Sequence, residues 1–227
     1  MLALLLLFVS LTSAVQEAGY LDLVNQTTQP RRTEPSTASA SVVGVGVGDR
    51  PATQPRLPLE LTISDIEGAE HKLGDDLIYT IRIENMSARA IQIPWTPSLR
   101  DIEPARPGPY AYQMARLAPM LINSSGQIEL LEPAAVYGSG EASTMLELAP
   151  RQWARITAKS RISARGPNLG RFLSTGRHSV SVGATWSLYR VSFSERNGGY
   201  HESFMPADQE YRSTNTIPFH LESGSDR

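Results

Sequence analysis

The sequence predicts an all-β protein: an antiparallel β-sandwich with long loops, preceded by a disordered arm. Three observations carry this. Period-two alternation of apolar and polar residues recurs from Leu57 onward, and helical periodicity is nearly absent. Strand side chains point alternately to two faces, so such alternation puts one face in a core and the other toward water. The strand-like runs are short, separated by turn residues, and have no helices between them, which is the pattern of a sandwich. The tract before Leu57 is rich in Ser, Thr, Gln, Pro and Ala. It cannot bury enough apolar surface to offset the entropy of ordering.

The chain opens "MLALLLLFVSLTSA". Leu2 to Val9 is an unbroken apolar run, followed by the small residues Thr12, Ser13 and Ala14. A permanent membrane span needs about 20 apolar residues. The shorter run here fits the apolar region of a secretory signal peptide, although no Lys or Arg precedes it. Residues 1–14 are therefore read as a signal peptide, and the location as secreted or periplasmic. Residues 15–56 are read as a disordered linker. Within it, "SVVGVGVGDR" alternates Gly44, Gly46 and Gly48 with valine, and Pro51 and Pro55 follow. A dinucleotide-binding loop needs G-x-G-x-x-G between a strand and a helix, so this stretch does not qualify.

Residues 57–223 are read as one β domain and 224–227 as a flexible tail. "LELTISDI" alternates Leu59, Leu61 and Ile63 with polar residues, and turns follow at Glu67-Gly68 and Gly74-Asp75. Leu77, Tyr79, Ile81 and Ile83 then alternate with Ile78, Thr80, Arg82 and Glu84. "IQIPW" is a short strand closed by Pro94, before a proline-rich excursion. Tyr110–Leu117, Met120–Asn123, "IELLEP", Ser143–Leu148 and "WARITAKSRI" are further strand candidates. Pro133–Tyr137 is the best helical candidate. In "GRHSVSVGATW", His178, Val180, Val182, Ala184 and Trp186 share one face; in "TNTIPFHLES", Ile217, Phe219 and Leu221 point inward. Pro218 implies an edge or a bulge there, because proline cannot donate to a ladder. The segments Pro94–Pro109, Pro133–Gly140 and Glu195–Tyr211 are read as long loops.

Composition narrows the function. The net charge is -2 and there is no run of Lys or Arg, so nothing supplies an electrostatic footprint for nucleic acid. There is no cysteine, which excludes disulfides, thiol nucleophiles and cysteine metal sites. Positive charge is almost all arginine, which suggests a bacterial source. Gly138-Ser139-Gly140 lacks the spacing of a nucleophile elbow. His71, His178, His201 and His220 form no close pair of the kind zinc needs. Asp75-Asp76 supplies too few oxygens for calcium, which takes six to eight. No pair of carboxylates is singled out for glycoside hydrolysis. The expectation is a non-catalytic protein with no cofactor and no metal.

"KLGDDLIYTIRIENMSARAIQI" resembles the strand-turn-strand opening of bacterial secreted Ig-like and fibronectin-III-like β-sandwich domains. Leu73-Gly74-Asp75 matches the turn, Leu77 to Ile83 the alternating strand, and Asn85-Met86-Ser87 its end. "GRHSVSVGATW" and "STNTIPFHL" look like the closing strand pair, with Gly176 turning the chain. A proteinase-inhibitor-like sandwich family shares the opening. The resemblance covers most of residues 57–222, but its motifs are turn and strand motifs and imply an architecture rather than a binding residue.

Recognition on such domains usually falls to loops. Trp95, Tyr110 and Tyr112 flank the proline-rich excursion that begins near Arg100, and Tyr200 and Tyr211 flank "HESFMPADQE". These six residues are the candidate recognition set. The competing reading is that the aromatics pin loops onto the ends of the core. The function expected is an exported binding or assembly module for a protein or envelope component. The alternatives are a secreted proteinase inhibitor working through Arg100–Pro109, or a carbohydrate-binding or carbohydrate-active protein.

Overall fold

A computed structural model describes residues 16–25, 27–30, 57–68, 70–104, 108–162, 175–194 and 199–222; side chains are described for all of these except 27–30, 193–194 and 199–208. The signal-like segment, the valine–glycine stretch and the tail 224–227 lie outside the described residues. Fourteen strands account for nearly all the described structure, so the all-β expectation holds. In chain order they are β1 (Glu17–Asp22), β2 (Thr27–Pro30), β3 (Leu59–Ile66), β4 (Glu70–Lys72), β5 (Asp76–Asn85), β6 (Ile91–Pro94), β7 (Tyr110–Asn123), β8 (Ile128–Leu130), β9 (Ala134–Gly138), β10 (Met145–Leu148), β11 (Trp153–Arg161), β12 (Gly176–Ser194), β13 (Gly199–Arg212) and β14 (Ile217–Glu222). One 3-10 turn, Leu99–Ile102, separates β6 from β7.

Two larger sheets form, one in the order β2-β1-β11-β5-β3 and the other β4-β14-β12-β7-β8, with β13 also on β12 and β9 also on β7. A small sheet pairs β10 with β6. The alternation of β5 shows how the sequence builds this. Leu77, Tyr79, Ile81 and Ile83 are all buried, and the residues between them are not. Leu61 and Ile63 of β3 and Ala154, Ile156 and Ala158 of β11 extend the same layer. Facing it are Ala115, Leu117 and Leu121 of β7, Val180, Val182, Ala184 and Trp186 of β12, and Phe219 and Leu221 of β14. These belong to one continuous core between the two sheets. Tyr79 spans it: its hydroxyl donates to the Leu117 carbonyl at 3.0 Å, satisfying a polar group that is otherwise fully enclosed. Burial pushes the phenol pKa well above its ordinary value.

Local chemistry sets the strand ends. Gly74 turns the chain at φ +96 and Gly176 at φ +122, a region that favours glycine. The Asp75 carboxylate accepts from the Lys72 amide at 2.7 Å, so it serves the turn before β5. Asn85 is a larger surprise. The sequence offers it as a tight-loop residue, yet it is fully buried. Its amide nitrogen donates to the carbonyls of Arg89 (2.7 Å) and Leu148 (2.8 Å), and its oxygen accepts from the amide and hydroxyl of Ser87. Asn215 plays a similar part against β3, accepting from Ile63 N and donating to Ile63 O.

Three expectations are corrected. Glu17–Asp22 and Thr27–Pro30 are strands, not linker. Ala18 and Leu21 of β1 enter the core, and β1 pairs in parallel with β11. Ten residues of strand, six in β1 and four in β2, are lost in the average composition of a 42-residue tract, which is why the tract reads as polar. Residues 31–56 lie outside the described set. Second, Pro133–Tyr137 is not helical: β9 pairs with β7 from Ala134↔Leu117 to Gly138↔Gln113. Third, most of the segment read as a loop at Glu195–Tyr211 is strand β13, which pairs with β12 from Gly199↔Ser194 to Met205↔Leu188 and again, past an irregularity, from Gln209↔Trp186 to Arg212↔Gly183. Its polar composition reflects a strand on the rim of the sheet. Likewise Tyr110–Leu117 and Met120–Asn123 are one strand running through Pro119. At Pro218 the edge expectation holds locally, because β4 covers β14 only from His220 to Glu222.

Candidate functional site

The six candidate residues divide. Trp95 is not an exposed loop aromatic; only 4% of it is accessible and it belongs to the core. Its indole lies against β1 so closely that a Cβ on Gly19 would sit 3.2 Å from the ring and from Leu146. Tyr211 is also buried, with its ring edge-on to Trp186 at 5.0 Å. Its hydroxyl lies 2.9 Å from the Leu57 carbonyl and 3.0 Å from Gln209 Oε1. Both residues pin chain onto the core. The side chain of Tyr200 is outside the described set.

Tyr110 and Tyr112 fall in a different place, the outer face of the seven-stranded sheet, and Arg100 is an exposed residue of the 3-10 turn whose Leu99 and Ile102 pack against them. Alternation along β7 sends Ala115 and Leu117 inward and Tyr110, Tyr112 and Met114 outward. The register puts Tyr112 opposite Tyr189 of β12, and Met114 opposite Tyr137 of β9. The rings of Tyr112 and Tyr189 stack at 5.0 Å and 9°. Tyr110 lies 6.2 Å from Tyr112 on one side, and Tyr137 6.2 Å from it on the other. Offset and tilted ring pairs at such distances add about 0.5–1.5 kcal/mol beyond their buried area. Tyr112 is buried in this row, whereas Tyr110, Tyr137 and Tyr189 are half-buried.

The excursion after β6 closes one border of the row. Ser98 accepts from the Arg100 amide at 3.2 Å and caps the 3-10 turn, while Thr96 Oγ1 donates to Asp101 at 2.5 Å. The turn so fixed delivers Ile102 into the cluster with Tyr112, Met114 and Val191, and Leu99 packs against it. Arg100 is left exposed at the rim. The result is a second, small hydrophobic cluster, separate from the main core. Sequence reasoning found Tyr110 and Tyr112 and put them at the start of a strand, but took them for aromatics at the border of a recognition loop rather than part of a row on a sheet face. It missed Tyr137, which lay in the helical candidate, and Tyr189, which lies beyond the stretch "GRHSVSVGATW" in which the alternation was read. The signal available was the spacing of Tyr110 and Tyr112: two residues apart, they had to share a face.

The other residues singled out in the sequence, where described, take local structural roles. Ser139 Oγ lies 3.0 Å from Thr144 Oγ1 and caps a turn. His71 stacks on Phe219 at 4.9 Å and His178 meets the same ring edge-on at 6.2 Å, while His220 faces outward. Among the described residues, no group of three His, Asp or Glu is placed to hold a metal.

No protein-family model matches the chain, and no curated protein matches it significantly. Solved structures with some likeness are varied. An alkylpurine DNA glycosylase of Pseudomonas fluorescens bound to DNA containing an abasic site analog is 11% identical, with a TM-score of 0.34 over 75% of this chain and 32% of the other. A β-glucosidase of Listeria innocua in complex with isofagomine is 14% identical, with a TM-score of 0.33 over 73% of this chain and 16% of the other. The sporulation control protein Spo0M of Bacillus subtilis is 9% identical, with a TM-score of 0.28 over 74% and 50%. The chain spans at most about half the length of these proteins. Likeness at this level carries no functional argument.

Proposed function

We propose that this chain is an exported, non-catalytic binding module of Ig-like type that recognises a protein partner through the tyrosine row on the outer face of its seven-stranded sheet. The strand order supports the type. Taking β3, β5, β7, β11, β12 and β14 as the six principal strands, the first, second and fourth share one sheet and the third, fifth and sixth the other. Immunoglobulin-like sandwiches divide strands A, B, E and C, F, G in the same way. The parallel β1 beside β11 departs from that scheme. Export rests on the signal-like opening alone.

The single observation that carries the reading is the row itself: Tyr110, Tyr112, Tyr137 and Tyr189 brought together from three strands, outside the core. Interfaces are enriched in Tyr and Arg at their energetic centres, and Arg100 stands at the rim. The stacking of Tyr112 on Tyr189 turns their ring faces toward each other. That favours a protein over a sugar, which needs an open ring face. The inhibitor alternative finds less support in the first part of its segment, because Leu99–Ile102 is a capped turn with Ile102 packed in the cluster.

A photo-crosslinking residue placed at position 137, and separately at position 20 on the other sheet, tests this in the native envelope. The expected result is one discrete adduct from position 137 that disappears when Tyr189 is replaced by Ser. Hot-spot tyrosines contribute about 2 kcal/mol or more, so the affinity loss should be about 30-fold. Equal labelling from both positions would remove the row from the argument.

A further inference from the structure

β1 is held in an unusual way. It fills a position inside the five-stranded sheet, contributing Ala18 and Leu21 to the core and running parallel to β11 from Glu17↔Trp153 to Asp22↔Thr157. On its other side β1 pairs with β2, and the two form one hairpin. Asp22 ties that unit's turn, accepting from the amides of Val24 (2.9 Å) and Asn25 (3.1 Å) and from Asn25 Nδ2 (2.8 Å). The 28 residues from Arg31 to Pro58 stand between this hairpin and β3.

The register gives the distance this connection must cover. Pro30 lies level with Gly19, Gly19 with Ala154, Ala154 with Ile83, and Ile83 with Leu61. Pro30 and the start of β3 are therefore at the same end of the sheet, four strands apart. At about 4.8 Å per strand that is about 19 Å. Twenty-eight residues can reach about 95 Å when extended. About six would suffice, so the connection can equally deliver the hairpin to the slot of a neighbouring molecule.

We propose that the β1–β2 hairpin is an exchangeable strand pair, and that two copies of this chain associate by each inserting its hairpin beside β11 of the other. The slot, its partner residues and its register are the same within and between molecules, so the exchange makes and breaks equivalent contacts. Tethering two binding elements on one chain gives effective concentrations of about a millimolar. Single molecules thus predominate when dilute, and exchanged pairs accumulate as the local concentration approaches about a millimolar.

The absence of cysteine makes the test clean. Tyr20 and Arg155 are register partners, with the guanidinium of Arg155 over the Tyr20 ring at 4.6 Å. Full-length chains carrying Tyr20→Cys and Arg155→Cys singly, one of them isotopically labelled, are mixed at several hundred micromolar and oxidised slowly. Mass spectrometry should find a covalent heterodimer that falls at least fivefold on tenfold dilution. A mixture of Tyr20→Cys with Lys159→Cys, which is off register, should give none. A second chain lacking residues 32–57 keeps two connecting residues and reaches about 10 Å, too short to close on itself. Light scattering should show it as a dimer. A heterodimer that is absent, or equally abundant off register, overturns the proposal, as does a folded deletion chain that stays monomeric.

Discussion

Asn85 shows how much a single side chain can carry. It is fully enclosed, and four hydrogen bonds connect it to the turn after β5 and to the end of β10. Replacing it by Ala leaves the Leu148 and Arg89 carbonyls without that donor. Buried groups stranded in this way cost about 1–3 kcal/mol each. Asn85→Ala should therefore lower unfolding free energy by about 2–3 kcal/mol in a urea titration, while Met86→Ala, beside it but exposed, should change little. Gly138 is constrained by space. A Cβ there would meet the Met145 side chain, Thr144 O at 3.0 Å and Pro94 Cα at 3.1 Å. Two of these are backbone atoms that cannot swing away. Gly138→Ala should cost about 1–3 kcal/mol by overpacking, measured in the same titration. The sequence shows Asn85 and Gly138 as turn-type residues; which of them sits under packed backbone depends on contacts far along the chain.

At the scale of elements, β1 is the most informative case. Leu21 is fully buried. Leu21→Ala should cost about 2–4 kcal/mol if β1 is docked, since core leucine truncations fall in that range. A change near zero would return residues 17–22 to the polar tract around them. Asp22 adds a pH signature. Burial alone would raise its pKa, but the bonds from Asn25 and Val24 outweigh it and hold the carboxyl below its ordinary value. A lowered folded pKa means the stabilisation is present above the unfolded value of about 3.9 and is lost as pH falls through the folded one. Stability should therefore drop below about pH 4 by more in the parent chain than in Asp22→Asn, as followed by denaturant midpoints at pH 6 and pH 3. The long hairpin of β12 and β13 teaches the complementary lesson. Its alternation is legible to Trp186, but β13 lies on the rim and has few apolar residues to announce it.

For the molecule as a whole, the all-β class and the core face of β5, β12 and β14 were legible because a strand with one buried face must alternate. The candidate site was legible only in part. Tyr110 and Tyr112 stood out, yet Trp95 and Tyr211 carry the same residue chemistry and are structural, since sequence proximity to a loop does not say which face a ring takes. The tyrosine row exists only once β7, β9 and β12 are in register, and register is a property of pairing between segments as far apart in the chain as Tyr110 and Val191. The parallel pairing of β1 was invisible for a related reason. It is a non-local contact across more than a hundred residues, made by a segment whose neighbours are polar.

Both the corrected boundary of the folded body and the exchange between copies depend on β1 lying against β11. Amide hydrogen exchange on the full-length chain measures this most directly. The amides of Gly19 to Asp22 should be protected to within about tenfold of those of Ile156 and Ala158 on β11, because they share one ladder and one core. Exchange of Gly19 to Asp22 at the rate of an unstructured peptide, with β11 still protected, would contradict it.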